Sequence, residues 1–255
     1  MPATAWRMAV WLEELSGRRV VVGFRHSQPT IEAAVAELAA AAPARVVALC
    51  LAPHFSHAGP GSYLRRCREA AATAGLADRL VEIPAWHLAE GLISWWAEAV
   101  RAALAAARST RGAEPEVVFT AHSIPLDREP SDSPYSEQVA ATAAAVARRC
   151  GLSERQWRVS YQSAVPGRGR WLAPSLTDQL VEVAGVADEV VVAPIGFVCD
   201  QVETLYDLDV VACGHAADLG LRLTRVPCPN DSPLLVRTLA DVLRRRLVQE
   251  VRGHG

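Results

Sequence analysis

Two widely separated segments of the chain each combine a buried, strand-like run with a polar residue that could do chemistry. Residues 117–123 carry His122 near their end, and residues 194–206 carry Glu203. In an open parallel sheet the carboxyl ends of the strands converge on the ligand crevice, so we expect His122 and Glu203 to face one another. One imidazole and one carboxylate together favour a divalent transition metal.

Composition limits the partners of such a site. The chain of 255 residues has a net charge of -2 and dispersed arginines, which gives no reason to expect a nucleic acid or an anionic membrane as partner. Residues 1–15 lack the pattern of a signal or transit peptide, and no apolar run is long enough to cross a bilayer. We therefore expect a cytoplasmic protein with a small partner.

The spacing of the cysteines limits which disulfides, metal sites and clusters the chain can form. All 6 are scattered without a short paired spacing, which in the cytosol argues against disulfides and against a zinc ribbon. Spacing alone leaves open a cluster built from distant cysteines, but such a cluster needs several thiolates brought together. We expect neither a 2Fe-2S cluster nor any other permanently bound cofactor.

The elements that must position these residues alternate along the chain. Apolar runs of strand length alternate with longer segments of helical period, which is typical of an α/β fold. A polar stretch at residues 109–115 divides the series. We predict two Rossmann-like lobes with parallel sheets flanked by helices, residues 1–112 and 113–255, and a cleft between them. The predicted strands are residues 19–24, 45–51, 80–83, 117–120, 157–162, 189–193 and 221–225.

Several motifs, in the same order and over nearly the whole chain, resemble the signature of the ferrochelatases. The motifs of the second lobe are residues 121–125, 132–135, 161–163, 171–174 and 194–209. In the first lobe, residues 51–56 and 61–63 resemble most the coproporphyrin-using bacterial branch. The resemblance implies a chelatase-type fold, and insertion of Fe²⁺ as a substrate into coproporphyrin III or a related porphyrin in haem biosynthesis.

The resemblance also implies roles for the two opening residues. His122 would be a catalytic residue that binds the metal and accepts a proton, since a pyrrole nitrogen must lose its proton as the metal arrives and a neutral imidazole can do either. Glu203 would be its catalytic and metal-binding partner on the same side of the macrocycle. Asp207 follows one helical turn later, where it could extend an acidic track for the metal or lie on a solvated face.

Other side chains could hold the porphyrin. Ser62 and Tyr63 offer hydroxyl donors to a propionate carboxylate, and the resemblance places Ser123, next to His122, on the same surface. Trp171 could line an apolar cleft or belong to the core. We predict a porphyrin-binding role for all four.

Three features depart from the family pattern. Gln201 stands where members commonly have a histidine, and a neutral amide cannot shuttle protons. Val211 replaces a further acidic residue, which shortens the acidic track. The resemblance begins near Thr4, within the family's first helix, so the family's N-terminal strand and loop have no counterpart in this sequence, and a neighbouring strand edge would stay unpaired.

These departures leave three functions open. The leading hypothesis is a ferrochelatase-type lyase. The alternatives are a non-catalytic tetrapyrrole-binding or carrier protein, and a chelatase-like enzyme repurposed to another metal or small chelator. A monomer or a weak homodimer is expected, because an unpaired strand edge permits association.

Overall fold

The computed structural model describes residues 2–107, 114–165, 167 and 169–253. Helices and strands alternate through most of this part of the chain, which confirms the predicted α/β fold. The helices are α1 Pro2–Ser16, α2 Ile31–Ala39, α3 Pro60–Thr73, α4 Glu90–Ala106, α5 Tyr135–Cys150, α6 Leu176–Ala184, α7 Val202–Leu205, α8 Cys213–Asp218 and α9 Pro233–Gly253. The strands are β1 Val46–Leu49, β2 Leu80–Ile83, β3 Glu116–His122, β4 Trp157–Gln162, β5 Glu189–Ala193 and β6 Arg222–Arg225. A π-helical segment, Tyr206–Ala212, joins α7 to α8.

The strands form two parallel sheets. β1 pairs with β2, and the second sheet has the order β4-β3-β5-β6. In the second sheet β3 lies between β4 and β5, with His122 opposite Gln162 and Phe119 opposite Ala193. β5 is buried throughout and β3 is buried up to His122, as expected for parallel strands with helices on both faces.

Helix caps set where two of the helices begin. The hydroxyl of Thr30 accepts a hydrogen bond from the N–H of Ala33 at 3.2 Å, just before α2. The hydroxyl of Ser175 accepts one from the N–H of Asp178 at 3.1 Å, just before α6. Such caps typically contribute about 1 kcal/mol to stability, and the second one fixes α6 against the sheet that carries His122.

The largest apolar core joins the two halves of the chain. Helix α4 packs against α5, α9 and β5. Its residue Trp96 is fully buried and shares the core with Phe119 of β3 and Leu239 of α9. The two sheets are therefore connected by continuous packing, while the predicted lobe boundary between residues 112 and 113 lies outside the described residues.

One predicted strand does not form. Residues 19–23 are not part of a strand in the described structure, and Phe24 makes only an isolated bridge to Thr30. A strand is stabilised by hydrogen bonds to a neighbouring strand, so a β-branched run without a neighbour does not suffice. The prediction of a strand at residues 19–24 is wrong, although Val20 packs against the main core.

A buried carboxylate fastens the loop after β1 to the second half of the chain. The side chain of Glu129 is only 3% exposed. It accepts hydrogen bonds from the N–H groups of His57 at 2.6 Å and Ala58 at 3.2 Å, and from the hydroxyl of Ser133 at 2.7 Å. Hydrogen bonds to an ionised acceptor are stronger than those between neutral groups.

We predict that Glu129→Ala lowers the free energy of unfolding by about 2–4 kcal/mol, because three donors, two of them backbone N–H groups, lose a buried acceptor. Urea unfolding followed by circular dichroism measures the change. Glu154→Ala removes an exposed carboxylate and is the control, with an expected change below about 0.5 kcal/mol. A loss as small as that of the control would contradict this role for Glu129.

His54 lies in the same loop and is 2% exposed. Its Nε2 is 2.9 Å from the hydroxyl oxygen of Thr142, which is also 3.1 Å from the carbonyl oxygens of His87 and Gln138. Because the hydroxyl has one proton to donate and two carbonyls as acceptors, His54 donates from Nε2. Burial, reinforced by His87, lowers the pKa of His54 to about 3.

We predict that part of the pH dependence of stability comes from His54. The unfolded chain protonates this histidine below about pH 6.5, whereas the native protein does not. The contribution of the neutral His54 to the free energy of unfolding is therefore fully present above about pH 6.5. It decreases as the pH falls toward the native pKa, by up to about 1.4 kcal/mol per pH unit. His54→Gln should reduce this slope in urea unfolding series, and an unchanged slope would contradict the prediction.

Candidate active site

His122 and Glu203, which the sequence predicts to face one another, lie in direct contact. His122 is the last residue of β3, Glu203 lies in the first turn of α7, and the Nε2 and Oε1 atoms are 3.0 Å apart. The two side chains are 37% and 51% exposed, respectively. The pair is therefore formed without a ligand and remains accessible from solvent.

The segment between β5 and α7 brings Glu203 over the end of β3. The N–H of Gly196 donates to the carbonyl of Thr120 at 3.2 Å. A Cβ atom on Gly196 would lie 2.6 Å from the Cβ of Ala121, so only glycine allows the two backbones to approach this closely.

Asp200 anchors the far end of that segment. Its carboxylate accepts hydrogen bonds from the guanidinium of Arg225 at 2.9 Å, the amide of Asn230 at 2.8 Å and the N–H of Cys228 at 3.2 Å. Arg225 is also paired with Asp209, at 2.5 Å. These contacts hold Asp200, two residues before α7, and the π-helical segment after α7 against β6 and the loop that follows β6.

The backbone selects the tautomer of His122. Its Nδ1 is hydrogen-bonded to the carbonyl of Ser123, and because a carbonyl can only accept, Nδ1 carries a proton. In the neutral imidazole the lone pair is therefore on Nε2, facing Glu203. A lone pair and a carboxylate attract one another only with a proton or a cation between them, so the pair is able to hold one or the other.

Three neighbours support the imidazole. The buried hydroxyl of Tyr135 donates to the carbonyl of His122 at 2.9 Å, and burial raises the pKa of Tyr135, which keeps its proton in place. The hydroxyl of Ser123 donates to the carbonyl of Leu172 at 2.8 Å. The ring of Phe197 lies 6.4 Å from the imidazole, measured between centroids. Tyr135 belongs to a motif noted in the sequence, but its contact with His122 could not be read from it.

Asp207 lies in the π-helical segment, and its carboxylate accepts a hydrogen bond from the hydroxyl of Ser163. Asp207 follows Glu203 by four residues, in the segment that continues from α7. Among the residues that the structure describes, no three His, Cys, Asp or Glu side chains are grouped to hold a metal. A role for Asp207 in a metal track stays a prediction.

The predicted porphyrin contacts of α3 lie in the first half of the chain. The hydroxyl of Ser62 is buried, donates to the carbonyl of Gly59 at 2.8 Å and accepts from the guanidinium of Arg25 at 2.8 Å. Tyr63 is half-buried, with the Arg25 guanidinium 5.8 Å from the centre of its ring. The Ser62 hydroxyl is thus engaged inside the protein, and its contact with a propionate stays a prediction.

The other two predicted porphyrin contacts lie near His122. Ser123 is 1% exposed and its hydroxyl is occupied by Leu172. Trp171 is half-buried and bridges Pro125 through its backbone. These positions place both residues at the carboxyl edge of the second sheet, where porphyrin contact stays a prediction.

Sequence reasoning did not single out a second set of polar side chains on the His122 face of the sheet. The register places Gln162 beside His122 and Ser160 beside Thr120, and alternate residues of a strand share a face. The side-chain polar atoms of Thr120, Ser160 and Gln162 are buried and have no hydrogen-bond partner within the described part of the chain. The signal in the sequence is the repeated polar residue at alternate positions of two strands.

The chain is a parallel α/β protein with an accessible imidazole and carboxylate at the carboxyl edge of its sheet, able to bind a proton or a divalent metal. Within the described residues, no helix combines the length and the apolar character that a membrane span requires.

Comparisons with known proteins agree with this class. The ferrochelatase family model matches residues 6–247. The chain is 33% identical over 233 residues to the ferrochelatase of Deinococcus radiodurans, covering 91% of this chain and 73% of that protein. It is 33% identical over 239 residues to the coproporphyrin III ferrochelatase of Geobacillus kaustophilus, covering 92% and 74%. The chain belongs to the ferrochelatase family, whose members are metal-inserting lyases.

We predict that His122 and His54 are opposite tautomers. In the variant Glu203→Gln above about pH 8, where an ordinary imidazole is neutral, two-bond ¹⁵N–¹H spectra should show the proton of His122 on Nδ1 and that of His54 on Nε2. Added Zn²⁺ should shift the Nε2 signal of His122 in the parent and leave His54 unchanged. A proton on Nε2 of His122 would contradict the assignment of that nitrogen as base and ligand.

Proposed function

We propose that the protein inserts Fe²⁺ into coproporphyrin III or a closely related porphyrin, as a step of haem biosynthesis in the cytoplasm. The observation that carries this proposal is the 3.0 Å contact between Nε2 of His122 and Oε1 of Glu203. The likeness to proteins named coproporphyrin III ferrochelatase, at 33% identity, supports the choice of tetrapyrrole.

The chemistry of insertion matches what the pair offers. Insertion exchanges two pyrrole N–H protons for one divalent cation, so a base must stand next to the ring nitrogens. Nε2 of His122 has the free lone pair, because Nδ1 is held by the Ser123 carbonyl. When Nε2 takes a proton, the carboxylate of Glu203 stabilises the imidazolium that forms. His122 then acts as proton acceptor and metal ligand, with Glu203 as its partner.

The surroundings of the pair suit a flat, largely apolar substrate. Both side chains are partly exposed, so a macrocycle can approach from the cleft without moving the sheet. Phe197 contributes an aromatic surface beside His122, and aromatic rings pack well against such a face. Nε2 would then be the basic atom nearest to a ring bound beside the pair.

Anaerobic incubation with Fe²⁺ tests the proposal, with coproporphyrin III and protoporphyrin IX supplied in parallel and metal insertion followed by absorbance. We expect insertion into coproporphyrin III to be the faster reaction. His122→Ala and Glu203→Gln should slow it by about 10²-fold or more, as is typical of groups that transfer protons. Glu154→Gln, an exposed and distant carboxylate, is the matched control and should retain the parent rate.

Two outcomes would replace this function by an alternative. A folded parent that binds coproporphyrin III with an affinity unchanged by His122→Ala, and inserts no metal, would be a tetrapyrrole carrier. A parent that inserts another divalent metal but not iron would be a repurposed chelatase.

A further inference from the structure

A file of polar side chains runs along the groove between β3 and β4. At the cleft end His122 and Gln162 lie side by side, and in the middle Thr120 lies beside Ser160. Arg158 follows two residues earlier on β4 and therefore on the same face. Val118 of β3 lies opposite Arg158 on this face and packs in an apolar cluster with residues of α6, so the polar file runs along β4 at this level and the groove is closed to solvent along its middle.

The far end of this groove opens to solvent through an ion-pair network. The guanidinium of Arg158 donates to Glu116 at 2.6 Å and to Glu182 of α6 at 2.9 Å. Gln179 of α6 donates to the same Glu182 carboxylate at 3.2 Å. The side chain of Glu182 is 58% exposed, so polar groups extend from the cleft to the opposite edge of the sheet.

The polarity is confined to one face. On the other face of the same two strands, Phe119, Ala121 and Tyr161 belong to the main apolar core and Val159 packs against it. At a rise of about 3.3 Å per residue, the file spans about 13 Å from His122 to the level of Arg158. Ser160 and Gln162 are neither β-branched nor aromatic, so strand propensity does not explain their place in β4.

The middle of the groove has unmet hydrogen-bonding capacity. The hydroxyls of Thr120 and Ser160 and both amide atoms of Gln162 are buried without a partner among the described residues. The hydroxyl of Thr204, next to Glu203 in the chain, is also buried without a hydrogen-bond partner among the described residues. Buried polar groups in native proteins are nearly always hydrogen-bonded, and a buried water typically makes about three hydrogen bonds to groups of this kind.

We propose that this groove binds a file of ordered water molecules that carries protons from the His122–Glu203 pair to the Glu182 edge of the sheet. The inference rests on the proposed function, in which each Fe²⁺ that enters displaces two protons that must leave the pair. Ser160 and Thr120 can each accept one hydrogen bond and donate another, so they extend a chain of waters, while Gln162 holds the first water. Each transfer breaks one O–H bond as it forms the next, and two protons enter and leave the file per turnover.

The variant Thr120→Val/Ser160→Ala tests the file, because it removes both hydroxyls from the middle of the groove with little change in volume. A high-resolution crystal structure of the parent should show waters hydrogen-bonded to Thr120, Ser160 and Gln162, and the variant should lose them. Single-turnover insertion should slow by about 10-fold, less than for loss of the base itself, with a larger solvent deuterium isotope effect. Affinity for coproporphyrin III should not change, and Thr177→Val, on the exposed side of α6, should match the parent in every measurement.

A dry groove in the parent structure, or a variant with the parent rate and isotope effect, would overturn the proposal. Ser160→Ala alone provides the same comparison if the double variant does not fold. If the parent shows the waters but inserts no metal into either porphyrin, the proposed function fails and the proton route fails with it. The crystal structure would still establish, independently of activity, that water binds in the groove.

Discussion

The hydrogen-bonding register of β3 decides which side chains enter the core and which reach the active site. This strand is hydrogen-bonded along both edges, to β4 and to β5. Its odd-numbered residues, such as Phe119, enter the main core, while its even-numbered residues line the groove that ends at His122. Because side chains alternate between faces, a slip of one residue would turn Phe119 toward that groove and His122 into the core. Apolar packing on one face therefore fixes the imidazole at the cleft.

The sequence could predict the parts of the fold that depend on local pattern. Alternating apolar runs and helical periods locate the six strands of the described residues, and topology then places His122 and Glu203 at the same edge. Features that depend on distant partners could not be predicted in this way. Residues 19–24 have the composition of a strand, but nothing in their own sequence shows whether a neighbouring strand is present to pair with them. The bonds of Glu129 to His57 and Ala58, and of Tyr135 to His122, are equally non-local.

The connection between the halves limits how the cleft can change. Helix α4 shares one core with β3 and α9, and Glu129 and Thr142 bind the loop that follows β1. Separating the halves would expose fully buried side chains such as Trp96, at a cost of about 25 cal/mol per Å² of apolar surface. The packing therefore opposes an opening of one half of the chain against the other.

In the proposed mechanism the metal enters and the protons leave by different routes. Fe²⁺ approaches the pair from the cleft, where both side chains are exposed, and a proton retained on the imidazole would repel the next cation. Gln201 lies just before α7, two residues from Glu203, and its amide cannot carry a proton. The groove below His122 runs in the opposite direction and ends at Glu182, a carboxylate in solvent. Moving protons through it separates the outgoing positive charge from the incoming one, and makes the hydroxyls of Thr120 and Ser160 part of the reaction although neither can touch the porphyrin.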